Sequence, residues 1–145
     1  MSVRRQIYDA VVDALEASTG IKYVTEKLEP WWDWPRGRFP GAAVIDADET
    51  RKRFSYVQPT AGDIEGKVAF EIHAYDYDRN NDLDTKRNTL IQNIRKALLN
   101  DTALNALVLS MVPGDWRTVD DGQIDNYCYL THRFTAWYLY NHLSP

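Results

Sequence analysis

The sequence carries a single cysteine, Cys128, in 145 residues. One thiol excludes an internal disulfide framework and fits a reducing compartment. No apolar run approaches the roughly 20 residues that a membrane-spanning helix needs. The start, MSVRRQIYDAVV, has charge but no apolar core of a signal peptide. The seven glycines are scattered. None forms a GKS or GKT phosphate cradle, and no GxSxG mounts a serine nucleophile on a tight turn. Histidine is confined to His73, His132 and His142, which have no zinc-ligand spacing with Cys128. Base is not in excess: 17 Lys and Arg stand against 21 Asp and Glu, a formal net charge of -4. A duplex nucleic-acid binder usually carries the opposite balance. The expectation is a protein with no catalytic set, no cofactor and no metal, acting through its surfaces.

What the chain does have is apolar and aromatic mass. It is 44% hydrophobic and 26% charged, with five Trp and nine Tyr. That suffices for a packed core in one domain spanning residues 1–145. The aromatic excess suits a core or a protein interface, since both use large flat side chains with a polar edge.

The segment from Lys67 to Leu99 organises the rest. KVAFEIHAYDY alternates as a half-buried strand: Val68, Phe70, Ile72 and Ala74 on one face, Glu71, His73 and Tyr75 on the other. An acidic turn, DRNND, leads to a helix in which Leu83, Leu90, Ile91, Ile94, Ala97 and Leu98 form a stripe broken only by Arg87. Before this unit, Ser2 is placed to cap a helix running to about Ala17, with Gly20 as its stop. A short strand follows over Ile21–Leu28, then a loop, a buried strand at about Ala42–Ala47 and an exposed strand at Arg51–Val57. Gln58–Gly66 is a turn. After it, a second helix capped by Asp101 or Thr102 runs until Pro113-Gly114. Two strands close the chain, Trp116–Asp120 and Ile124–Tyr140, joined by an Asp120-Asp121-Gly122 turn. In the last strand Cys128, Leu130, Phe134, Ala136 and Tyr138 share a face with His132 among them. The fold class is α+β: a mostly antiparallel sheet with helices packed on one face, in the order α-β-β-β-β-α-α-β-β.

Three surface features stand out. The loop EPWWDWPRGRFPG holds three Pro, two Gly, three Trp and two Arg in thirteen residues. Its prolines deny it a regular ladder. Trp31, Trp32, Trp34, Arg36 and Arg38 are residue types that dominate interface hot spots, and two of the tryptophans could equally cap the open end of the core. Arg51, Lys52 and Arg53 form a basic edge strand leading to the tip Thr60–Gly66. Such a strand guards against aggregation or reaches a neighbouring subunit. Asp76, Asp78, Asn80, Asp82 and Asp84 alternate like calcium-loop ligands. However, Asn81 replaces the required glycine and Arg87 the bidentate glutamate, so the turn reads first as polar, with its last Asp capping the helix, and divalent-ion binding is the lesser alternative. His73 is expected on the solvent face of its strand, and His132 as a satisfied core or edge histidine.

RRQIYDAVVDALEASTG, FPGAAV leading into a strand, the strand KVAFEIHAY, the helix with Lys86-Arg87 early in it, NDTALNALVLSMV, and an acidic turn before an aromatic strand together resemble phage tail terminator proteins. These belong to the tail completion, or minor tail, group of long-tailed phages. The likeness covers most of the chain in order and spacing, but not the Trp-rich loop or the Arg51–Gly66 segment. It implies a structural virion protein: a hexameric ring of this chain on the head-proximal end of the tail, made in the host cytoplasm. The ring would end polymerisation of the tail tube protein and meet the head–tail connector or head-completion protein. DNA would only pass through its channel, past carboxylates such as Asp120, Asp121 and Asp125 expected at the lumen. The competing reading is a small monomeric module that binds a sugar or peptide through Trp31–Arg38. A neighbouring head-closure protein shares the same α+β outline.

Overall fold

The computed structural model describes residues 3–53, 63–78, 82–118 and 126–141. Ser2, Phe54, Tyr56, Thr60–Gly62 of the tip, Asn80, Asn81, Asp120, Asp121, Asp125 and His142 lie outside the described residues, whereas Asp63–Gly66, expected in the turn, belong to a strand. The chain runs α1 (Val3–Ala17), β1 (Tyr23–Thr25), β2 (Gly41–Arg53), β3 (Asp63–Tyr77), α2 (Leu83–Leu99), α3 (Thr102–Leu107), β4 (Ser110–Thr118) and β5 (Tyr127–Asn141). The strands form one five-stranded sheet in the order β1-β2-β3-β5-β4. β1 runs parallel to β2 and every other pair is antiparallel, so the sheet is mixed and the fold is α+β. Among the described residues, no helix is long and apolar enough to cross a membrane.

The alternation of β3 sets the layers. Val68, Phe70, Ile72 and Ala74 are buried against the helices, together with Val44 of β2 and Leu130, Phe134 and Tyr138 of β5. Ile7, Val11 and Leu15 of α1, Leu90, Ile94 and Leu98 of α2 and Leu104 of α3 complete this core. Polar ties hold α1 to the sheet: Tyr8 Oη donates to the Val44 carbonyl at 2.6 Å, and Arg4 pairs with Asp46. Arg87, the break in the α2 stripe, has a side chain only 12% exposed and pairs with Asp84 at 2.6 Å. Its stem thus packs with the stripe while its charge is met.

Three expectations are corrected. The two strands expected at Ala42–Ala47 and Arg51–Val57 are one strand, β2, through Arg53. Asp46 pairs with Phe70 but Asp48 with Ala69, so Ala47 is an extra residue in a β-bulge. The bulge resets the alternation, and one strand then reads as two pieces. The element order therefore has one strand fewer before α2. The second helix is only six residues long, and the expected helical stretch from Ser110 is already in β4. A short apolar run carries no period long enough to separate helix from strand. Pro113 fits β4 because that strand is at the sheet edge, where a missing N–H costs little. Finally, the residue capping α2 is Asp82, whose side chain makes no cap bond. Asp84 lies in the first turn and bonds Arg87 instead.

Gly66 illustrates how tightly the sheet packs. A Cβ at this position would overlap the ring of the fully buried Tyr138 on the neighbouring strand. Replacing Gly66 with Ala is expected to lower unfolding stability in urea by about 1–3 kcal/mol, the usual range for overpacking. The penalty should shrink sharply in a Tyr138→Ala background, where the ring is gone. Additive losses in that double-mutant cycle would show that Gly66 is required for some other reason.

Candidate functional site

The opposite face of the sheet is not simply solvated. Over its β1–β2 end lies the loop between β1 and β2. Pro30 and Pro35 each precede a single 3₁₀ turn, Trp31–Asp33 and Arg36–Arg38. The turns close through Trp34 N–H to the Trp31 carbonyl at 3.0 Å and Phe39 N–H to the Arg36 carbonyl at 3.2 Å. In 3₁₀ geometry side chains three apart eclipse. Trp31 and Trp34 therefore point together onto the sheet, while Trp32 points away. Trp31 and Trp34 are each 7% exposed, and Trp32 is 53% exposed.

What they land on comes from two strands. Tyr75 pairs with Tyr129, and Tyr77 with Tyr127, across β3 and β5, all on this face. Trp31 stacks on Tyr75 with centroids 5.2 Å apart and planes 19° apart. Trp34 meets Tyr75 edge-on at 5.3 Å and Tyr23 at 4.9 Å. Phe39 packs on Tyr127 at 5.4 Å. Ala43 of β2 completes this second apolar cluster. Gly41 is needed beneath it, because a Cβ there would meet the Trp34 ring at 2.5 Å and the Arg38 carbonyl oxygen at 2.7 Å. Offset and edge-on ring pairs of this kind add stability beyond their buried area.

The two arginines of the loop sit on the rim. The Arg36 guanidinium lies 4.1 Å from the Tyr77 centroid, and that of Arg38 lies 4.4 Å from the Tyr23 centroid. Of the candidates named from sequence, then, Trp31 and Trp34 are core of the sheet's second face. Trp32, Arg36 and Arg38 remain at the surface. Arg51, Lys52 and Arg53 pair as backbone with Gly66, Glu65 and Ile64 of β3; their side chains are outside the described residues. β1 covers β2 only from Gly41 to Ala43, so this basic stretch is on an open edge among the described strands.

The titratable groups follow the layering. Burial raises the Tyr75 phenol well above its ordinary value. Tyr23 is raised chiefly by donating its proton to Glu29 Oε1 at 2.9 Å. His73 is not on a solvated face as expected. Its Nδ1 lies 2.6 Å from Tyr129 Oη, and burial lowers its pKa. His132 is fully buried on the helix face, where Arg95 Nε donates to its Nε2 at 2.9 Å. That bond requires the neutral ring with its proton on Nδ1. Burial first, and the Arg95 cation second, push its pKa down to about 4.

The acidic turn is engaged with the protein itself. Asp78 Oδ2 accepts from the Asp82 N–H at 2.9 Å, and Asp84 pairs with Arg87. Asp76 is buried, which raises its pKa, with its Oδ1 accepting from the Tyr77 N–H. No three potential metal ligands converge among the described residues. Sequence reasoning missed the tyrosine quartet. Its signal was present: tyrosines at alternate positions 75 and 77, and again at 127 and 129.

Two outcomes follow from this geometry. Trp31→Ala should cost about 3–5 kcal/mol of stability, as for a buried aromatic, while Trp32→Ala should cost well under about 1 kcal/mol. Urea denaturation of the two variants measures the difference, and equal losses would contradict the layering. His132 has its folded pKa below its unfolded one. Its contribution to stability is therefore complete above the ordinary value of 6.5 and is lost as pH falls toward about 4. An NMR titration should find the His132 ring neutral at pH 5, and His132→Gln should flatten the acid limb of the stability profile.

Compared with known proteins, the chain matches no family model and no curated protein.

Proposed function

We propose that this chain is a structural virion protein that assembles into a hexameric ring on the head-proximal end of a phage tail tube. There it ends tube polymerisation and joins the tail to the head connector. The order and spacing of elements that resemble tail terminators motivate this reading. The observation that supports it most is the outer edge of β4. This nine-residue strand pairs only with β5 among the described strands, and Val112 to Thr118 are exposed throughout. Large apolar side chains, Leu109, Val112 and Trp116, are exposed along it. An unpaired strand with apolar side chains is a template for another chain, here on the stretches either side of Pro113 and the register shift after it, which interrupt the edge. Among the described strands, the sheet's other side also offers open backbone, on β2 beyond Ala43. Two different free edges on one protomer are what a head-to-tail contact requires, and a closed head-to-tail contact generates a ring.

Addition of the purified chain to polymerising tail tube protein should narrow the tube-length distribution in negative-stain micrographs and leave a density on one tube end. Val112→Lys combined with Trp116→Glu should keep the protomer folded yet let tubes overgrow. A saturating excess of the unaltered chain that neither caps tubes nor changes their length would refute the reading. A monomer by light scattering in the presence of tubes would then favour the binding-module alternative.

A further inference from the structure

A cavity of about 370 Å³ opens to solvent beside the Trp loop, lined by Glu29, Pro30, Trp31, Trp32, Tyr75 and Tyr129. Its rings meet at steep angles. Trp32 stands at 80° to Trp31 with centroids 5.7 Å apart, and Tyr129 stands at 69° to Trp31 at 5.9 Å. Such a corner presents aromatic faces and edges from more than one direction. Glu29 is the only charged side chain lining it. Its Oε1 is held by the Tyr23 hydroxyl, and no cation pairs with it among the described residues. Asp33 of the adjoining turn is exposed and adds a second negative charge nearby.

The same aromatic cluster already holds two guanidinium groups on its other rim positions, Arg36 over Tyr77 and Arg38 over Tyr23. Among the described residues no cation lies over Trp31 or Trp32, and the corner they form has the Glu29 carboxylate in its lining. We propose that this cavity is a receptor for the guanidinium of an arginine side chain presented by a partner protein. A planar guanidinium stacks on an indole face and bonds a carboxylate through its fork of N–H donors. The ammonium of lysine offers the charge without the plane. A sugar would need several converging hydrogen-bonding groups; here the Tyr129 hydroxyl already bonds His73 and Glu29 already bonds Tyr23. A proline segment would stack but leave Glu29 without a partner. The arginine comes from a protein because Leu28 and Trp32, both exposed large apolar side chains, flank the opening and offer area for a partner to bury. The proposal rests on the cavity alone and does not depend on ring formation.

The test uses the full chain, labelled with nitrogen-15, and the Trp32 indole N–H resonance, assigned with Trp32→Phe. The probe is N-acetyl-arginine N-methylamide. Its saturable binding should be in the millimolar range and move the Trp32 resonance. The matching citrulline compound, a neutral isostere of the same shape, should bind about tenfold more weakly, since it lacks the charge that the rings and Glu29 recognise. Glu29→Gln should weaken arginine binding several-fold with the spectrum otherwise retained, and raising salt should do the same. The absence of a saturable shift overturns the proposal. So does equal binding of the citrulline compound, or tighter binding of a cellobiose or diproline probe at the same resonance. The arginine–citrulline comparison is made on the unaltered chain, so it stands even where a variant fails to fold.

Discussion

The continuous pairing of β3 with β5, from Asp63 opposite Asn141 to Tyr77 opposite Tyr127, is the constraint on which the rest depends. Side chains alternate across a strand, so one register decides both faces at once. In this register Phe70 faces the helices with Phe134, and Tyr75 faces the loop with Tyr129. A slip of one residue in either strand would bring Glu71 or Arg133 into the helix core and remove the platform beneath Trp31. The helix layer and the aromatic layer therefore cannot be optimised separately. Each penalises the register that would spoil the other, and β2 is drawn in through Val44 on one side and Ala43 on the other.

The second face also explains why so many aromatic residues stand in so short a chain. A loop with three prolines forms no ladder of its own and must be held by side-chain contacts. Trp31 and Trp34 supply the area, the four paired tyrosines supply the surface, and Arg36 and Arg38 close the rim with charge over rings. Two hydroxyls of this layer are engaged: Tyr23 bonds Glu29, and Tyr129 bonds His73. A buried phenol without such a partner would lose a hydrogen bond it makes readily in water.

Much of this was legible in the residues. The strand–turn–helix unit from Lys67 to Leu99, the face shared by Leu130, Phe134 and Tyr138, and the α+β class all follow from period-two and period-3.6 patterns. The bulge at Ala47 was not legible, because an inserted residue is visible only against its partner strand. The passage from α3 into β4 was hidden in an apolar run with no clear period, and its strand character comes from pairing with β5. The roles within the Trp loop depended on recognising two 3₁₀ turns. Spacing of three between Trp31 and Trp34, each turn following a proline, is the clue that divides the inward tryptophans from Trp32. The tyrosine quartet needed the β3–β5 register, which no single strand states. The function classes excluded by composition rest on absent motifs, and the positive reading rests on resemblance together with the exposed edge of β4.

The aromatic cluster covers only one end of the sheet's second face. At Tyr75 and Tyr129 the paired strands have side-chain layers above and below, whereas toward Lys67 and Trp137 the contact among the described residues of this face is a cation over a ring, Lys67 Nζ 5.4 Å from the Trp137 centroid. One ladder thus carries two kinds of cover along its length. β4 pairs with β5 from Ser110 opposite Trp137 to Thr118 opposite Leu130, so it reaches from the Trp137 end to one residue short of Tyr129. The exposed strand therefore flanks the ladder along both kinds of cover.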